Sequence, residues 1–296
     1  MMLMLSWLRR FLGLVALPAL VFGTRSPAAT SPPRHFVWRV NGLAAPFYLV
    51  GSLHSLRPED YPLPEPYRRA LGQARRFVFE YNPQQRETLL RKFREAARYP
   101  SGLDIERDVR PNTIALLRKN LWKFGLTFDQ VRHYRPWAIA LHLLNKRGPL
   151  GPSHPRSMEN TLISEARPSG KEMAGLETVN EHIAFWREML ERDGETLLTY
   201  TLTHDDQVGA LLAQTQKAWK SGDVTTLAAT NLGLHRANGG VAEGLLDRRN
   251  TKWVDRIEAE MKTGKPTAII AGAAHFSGPQ GVIALLRQRG HKIEQL

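Results

Sequence analysis

Two short segments near opposite ends of the chain are built alike, and together they restrict what it can fold into. Phe47-Tyr48-Leu49-Val50 runs into Gly51-Ser52-Leu53-His54, and the apolar run 267–271 runs into Gly272-Ala273-Ala274-His275. Each reads as a strand that ends in a glycine turn and then presents an imidazole. Glycine permits the tight turn and close backbone approach, and histidine is the commonest metal ligand. The tetrapeptide alone is cheap in a chain with 23 Gly and 10 His. It recurs at Gly151-Pro152-Ser153-His154, where no apolar run precedes it and prolines flank the histidine, which reads as loop. The strand context carries the signal. It predicts two edges of one pocket, and therefore two chain ends that meet in one sheet.

The segments between fit that plan. His35 to Val40 reads as a strand, Asn41-Gly42 is a strong hairpin signal, and Phe47 to Val50 is the returning strand. Pro66 opens a helix reaching Ala74, and Phe77-Val78-Phe79-Glu80-Tyr81 is a strand with one acid embedded in it. From residue 84 to about 262 the pattern is mainly helical, with helices over 84–98, 111–120, 136–146, 178–192, 206–220 and 239–262. One strand, 171–177, interrupts them ahead of a helix capped by Thr178 or Asn180. The end returns to strand 267–271, a helix over 278–289, Gly290 as C-cap and strand 291–295. The expected class is α/β (α+β). One mixed sheet is assembled from N- and C-terminal strand–Gly-x-x-His–helix–strand units, and a large helical insertion covers it.

The first 29 residues read as a secretory signal peptide: Arg9 and Arg10, an uncharged apolar stretch over 11–23, then Gly23, Ala28 and Ala29 as small cleavage-site residues. That stretch is short for a membrane span, and an uncleaved anchor is the alternative. Residues 30–34 form a Pro-containing linker, and 35–296 form a single domain. With no cysteine there is no disulfide and no lipoprotein box, so an exported chain must rely on its own core. The formal charge is +13, and loss of Arg9, Arg10 and Arg25 with the leader leaves +10. Export argues against nucleic acid as the partner; an anionic polysaccharide or membrane surface suits a basic exported protein. Periplasmic or secreted location is the expectation.

His54, Glu80 and His275 each fall at or near the end of a predicted strand, where α/β sheets gather ligands. Two imidazoles and a carboxylate suit a divalent ion such as Mn, Co, Zn or Fe with positions left open for water. Such an ion supports hydrolysis, with Glu80 as ligand or general base. An acid inside an apolar strand is costly unless paired, and a neighbouring arginine at the sheet edge is the plain alternative. The remaining histidines, His182 among them, read as isolated.

These residues carry a resemblance. The stretch 47–54, then Tyr61-Pro62-Leu63-Pro64, then Phe77-Val78-Phe79-Glu80, is similar to the opening of the TraB/GumN family, which is related to the Tiki metalloproteases and to erythromycin esterase-like and ChaN-like proteins. The segment 271–278 with Gly281, Leu285-Leu286 and Gly290 resembles the family's closing part. Arg135-Pro136-Trp137, Leu176-Glu177-Thr178 and Arg249-Asn250 follow in the expected order. Ser52 stands where the family more often has Thr. The resemblance spans roughly 35–296 and implies a metal site at His54, Glu80 and His275, peptidase activity on a peptide or protein substrate, and Glu177 as a supporting acid. It places Arg249 and Asn250 in the pocket beside Gly51 and Gly272. A non-catalytic binding or accessory protein, for a metal, a porphyrin-like ligand or exopolysaccharide assembly, is the competing class.

Overall fold

The six predicted strands all form, and their burial follows their place in one sheet. The computed structural model describes residues 34–54, 56, 58–147, 157–237 and 245–296. The leader, residues 30–33 of the linker, residues 239–244 of the sixth predicted helix and the loop Gly-x-x-His lie outside the described residues.

The strands are β1 Val37–Asn41, β2 Phe47–Ser52, β3 Arg76–Tyr81, β4 Glu172–Glu177, β5 Thr267–Gly272 and β6 Lys292–Gln295, in sheet order β4-β3-β5-β2-β1-β6. β2, β5, β3 and β4 run parallel, while β1 is antiparallel to both β2 and β6. The near-continuous apolar runs of β2 and β5 suit central parallel strands covered on both faces, and all six residues of β2 are buried. β6, Lys-Ile-Glu-Gln, alternates exposed and half-buried positions, as a charged edge strand should. Gly42 takes φ +83° in the turn after β1, the left-handed conformation that glycine adopts without strain.

The helices are α1 Glu65–Gln73, α2 Arg86–Ala96, α3 Pro111–Asn120, α4 Phe128–Val131, α5 Pro136–Arg147, α6 Met158–Ala166, α7 Val179–Thr203, α8 Asp205–Lys220, α9 Val224–Ala237, α10 Leu245–Lys262 and α11 Val282–Gln288. The main core joins the sheet to side chains of α1, α6, α8, α9, α10 and α11. A second core lies among α3, α4, α5 and α7. The insertion is therefore a helical layer with an interior of its own that also donates β4 to the sheet.

Three helices go beyond the sequence expectation: α4, α6 and α9. α7 also continues eleven residues past the expected end at 192. Asp193-Gly194 looks like a stop signal, yet a Cβ on Gly194 would lie 3.1 Å from the Trp137 backbone nitrogen. The glycine allows α7 to approach α5 closely, and packing overrides its low helix propensity. Among the described residues no helix is long and apolar enough to cross a membrane.

Candidate functional site

The parallel strands bring the predicted residues to one edge. Ser52 at the end of β2 pairs with Gly272 at the end of β5, and Tyr81 of β3 pairs with Glu177 of β4. Glu80, Glu177 and the two glycine turns thus share the carboxyl edge of the sheet, where β2 and β3 flank β5. The turn after β5 is a short 3-10 segment, Ala273–Phe276, with His275 and Phe276 both buried. Phe276 packs on Trp38 of β1 with ring centroids 5.5 Å apart. Burying such a ring contributes about 1.5–3 kcal/mol, which anchors the turn.

Arg249 is the centre of the site. It projects from α10 and is 5% exposed. Its Nε donates to Glu177 (2.8 Å), and one terminal nitrogen donates to Glu177 and to Glu80 (2.9 Å each). Phe185 and Trp253 lie 4.3 and 4.6 Å from the guanidinium carbon, so aromatic faces enclose it. Glu80 also accepts the Gly272 N–H (3.0 Å). Burial pushes the Glu80 carboxyl up, but Arg249 and its other partners outweigh this and hold it well below the usual carboxylate range. Burial likewise opposes ionisation of Glu177, and hydrogen bonds from His182 and Arg249 overcome it. The arginine partner of Glu80 anticipated as the plain alternative exists, and it comes from the distant helix that the Arg249-Asn250 pair marked.

His275 is held by two contacts. Its Nδ1 meets Asn250 Oδ1 at 2.7 Å, and Trp253 stacks on the ring at 4.2 Å. Asn250 Nδ2 donates to the Gln280 carbonyl (2.8 Å), so its oxygen faces the imidazole and Nδ1 must carry the proton. The lone pair is then on Nε2, 3.4 Å from an Arg249 nitrogen and 3.9 Å from Glu80 Oε1. Burial drives the His275 pKa down to about 3, with Arg249 adding to the effect, so the ring is neutral.

His54 is wired the same way to a residue that the sequence did not flag. Its Nδ1 lies 2.9 Å from Glu159 Oε2, and Ser52 Oγ donates to the other carboxylate oxygen. Burial lowers the His54 pKa, but the Glu159 charge and hydrogen bond outweigh it and raise it to about 9. The ring therefore carries a proton at neutral pH. Glu159 sits in the first turn of α6, where an acid usually signals only the helix dipole. His182 also belongs to the site rather than standing alone: Nδ1 meets Glu177 Oε2 (3.0 Å), and Trp186 donates to Nε2 (3.0 Å). Trp253 donates to Glu177 (2.9 Å). The four-residue spacings 182/186 and 249/253 could have suggested these pairs.

Imidazole and carboxylate are donor types that divalent ions take. Both site histidines have Nδ1 tied to an oxygen, which is how metal-binding imidazoles are oriented. Glu80 Oε1 and His275 Nε2 lie 3.9 Å apart, and an Arg249 nitrogen lies 3.4 Å from the same Nε2. Among the described residues no group of three or more His, Cys, Asp or Glu side chains stands ready to hold an ion. What the contacts form is a buried ion-pair and hydrogen-bond cluster centred on Arg249.

The two glycines differ. A Cβ on Gly51 would meet Phe36 Cβ at 3.0 Å and the Ala273 Cα at 3.2 Å, inside the core. On Gly272 it would meet Glu80 and His275 only at ordinary contact distances, 3.5 and 3.9 Å, and the φ of −51° suits any residue. Gly51→Ala should cost about 1–3 kcal/mol by overpacking, whereas Gly272→Ala should unfold in urea near wild type. Equal midpoints for the two variants would refute this assignment.

The family model described as TraB/PrgY/gumN family matches residues 36–295. No curated protein and no solved structure matches the chain.

Proposed function

The chain belongs to the TraB/PrgY/gumN family, and from that membership and the sheet-edge geometry we propose that it is an exported, metal-dependent hydrolase of peptide bonds. The observation that carries this is the matched wiring of His54 and His275. Each imidazole is fixed through Nδ1 by an oxygen acceptor, which makes Nε2 the nitrogen that can serve an ion. His275 and Glu80 would hold the ion, with His54 as the third ligand, and Mn, Co, Zn and Fe all suit such donors. Bound there, the ion would supply a water acidic enough to attack near neutral pH.

The chain's own groups account for the rest. Glu80 Oε1 faces His275 and accepts the Gly272 N–H; Glu80 serves as ligand or as base, and Arg249, by holding the carboxylate ionised, weakens it as a base. Arg249 keeps one terminal nitrogen that is bound to neither carboxylate; one of its N–H groups points to the His275 Nε2 lone pair (3.4 Å), and the second can be offered to an oxygen gaining negative charge. Glu177 fixes Arg249, His182 and Trp253, a supporting rather than a proton-transferring role.

Metal content of protein purified without chelator or a His tag, followed by cleavage of a broad peptide library with added Mn, Co or Zn, tests the proposal. Metal binding with metal-dependent cleavage is the expected result; neither in the wild type would end it. A specific observation supports a second reading, a binding or accessory protein: Arg249 already neutralises Glu80, the carboxylate that an ion would use. That reading predicts ligand uptake without cleavage. The net positive charge would then favour an anionic polysaccharide or membrane as partner. Export has its own check, since periplasmic material should begin between residues 24 and 30. N-terminal sequencing that finds Met1 or Met2 instead would remove the localisation.

A further inference from the structure

A cavity of about 590 Å³ opens between α2 and α7, and its cations are only partly compensated. Of the basic residues lining it, Arg187 is paired with Glu191; of the acids, Glu95 is paired with Arg91. Lys92, Arg98 and Arg135 have no carboxylate within 4 Å among the described residues. Aromatic groups hold the two arginines instead. Arg98 lies 4.5 Å from the Tyr134 ring centre and donates to its hydroxyl, and Arg135 lies 5.1 Å from the Tyr99 ring centre. A ring face steadies a guanidinium without cancelling its charge, and the donor fork stays available to a carboxylate.

Their backbones are fixed as well. Arg98 forms a β-bridge with Tyr134, and the Arg135 N–H donates to the Ala97 carbonyl (2.9 Å). The cavity's α7 wall carries Asn180, Ile183, Ala184 and Arg187, a stripe at helical spacing. His182 and Trp186 form the neighbouring stripe, which serves Glu177. One helix thus borders both the cavity and the site.

We propose that this cavity is the docking subsite for an acidic residue of a peptide, with its carboxylate received between Arg98 and Arg135. That the peptide is a substrate rests on the hydrolase reading; the anion preference does not. Ile183, Ala184 and Ala96 line the same space and suit a carboxylate carried on methylenes.

Fluorescence anisotropy with a labelled octapeptide containing three consecutive glutamates, and with its glutamine counterpart, tests this on the full protein. The glutamate peptide should bind about tenfold more tightly, with the margin shrinking as salt rises. Arg98→Gln/Arg135→Gln should abolish the margin with unchanged circular dichroism. Arg94→Gln, a surface change on α2, which borders the cavity, should keep it. His275→Ala should also keep it, so a protein that never cleaves peptides but shows the margin defeats the hydrolase reading and leaves the subsite standing. Equal binding of the two peptides, a margin that survives the double substitution, or displacement by an oligogalacturonide at lower concentration than by the glutamate peptide would overturn the proposal.

Discussion

Arg249→Met should destabilise the chelator-treated protein by about 3–5 kcal/mol, the usual cost of breaking a buried ion pair from one side. The loss arises because Glu80 and Glu177 stay behind, with side chains 20% and 7% exposed. Methionine fills much of the space between Phe185 and Trp253 but answers neither charge. The control is a charge-neutral set: Arg249→Met with Glu80→Gln and Glu177→Gln should recover most of the loss, since a buried ion network can be exchanged for neutral groups at small net cost. Equilibrium urea unfolding reads both. A single variant within about 1 kcal/mol of wild type would show that water already solvates the carboxylates and that Arg249 is not their counter-ion. A triple variant as unstable as the single would locate the damage in lost packing rather than charge.

The same cluster shows which parts of the site a sequence can carry. Glu80 was visible because an acid in an apolar strand needs a partner, and the glycine turns were visible because apolar runs preceded them. Strand ends converge on one edge of a parallel sheet, so His54, Glu80, Glu177 and His275 could be placed together before any contact was known. Glu159 could not be found in that way. It begins a helix more than a hundred residues from His54 and looks like an ordinary first-turn acid. His182 reads as isolated because its partner, Glu177, lies five residues away across a strand–helix junction, a geometry with no sequence period. Arg249 and Asn250 were marked by resemblance, but their division of labour is geometric. Adjacent on α10, one reaches the carboxylates and the other sets the tautomer of His275. Helix length failed at Gly194 for a related reason: a glycine that permits helix contact and one that ends a helix look alike in one dimension.

The protonation of His54 gives the sharpest test of the metal site. Burial lowers its pKa, Glu159 more than restores it, and the result is about 9, whereas His275 is neutral at about 3. An imidazole must lose its proton to ligate, so an ion that takes His54 expels one and an ion that takes His275 does not. Below pH 9 each added unit lessens proton competition, and affinity should tighten by up to about tenfold per unit before levelling off above 9. At pH 7.5, calorimetry in buffers of different ionisation heat should find about one proton released per Mn, Co or Zn ion. Glu159→Gln removes the carboxylate that holds this proton, so the His54 pKa falls towards the ordinary histidine value and most of the release disappears. At pH 9.5, where the proton no longer competes, the same variant should bind the ion about 10–100-fold more weakly through loss of orientation. His54→Ala and His275→Ala should each lose metal while keeping their circular dichroism. Glu80→Gln then separates its roles: metal retained with cleavage down about 10²–10⁴-fold marks a base, and metal lost with activity marks a ligand. Ion binding without proton release would remove His54 from the ligand set, and full metal content in the double histidine variant would show that the ion binds elsewhere.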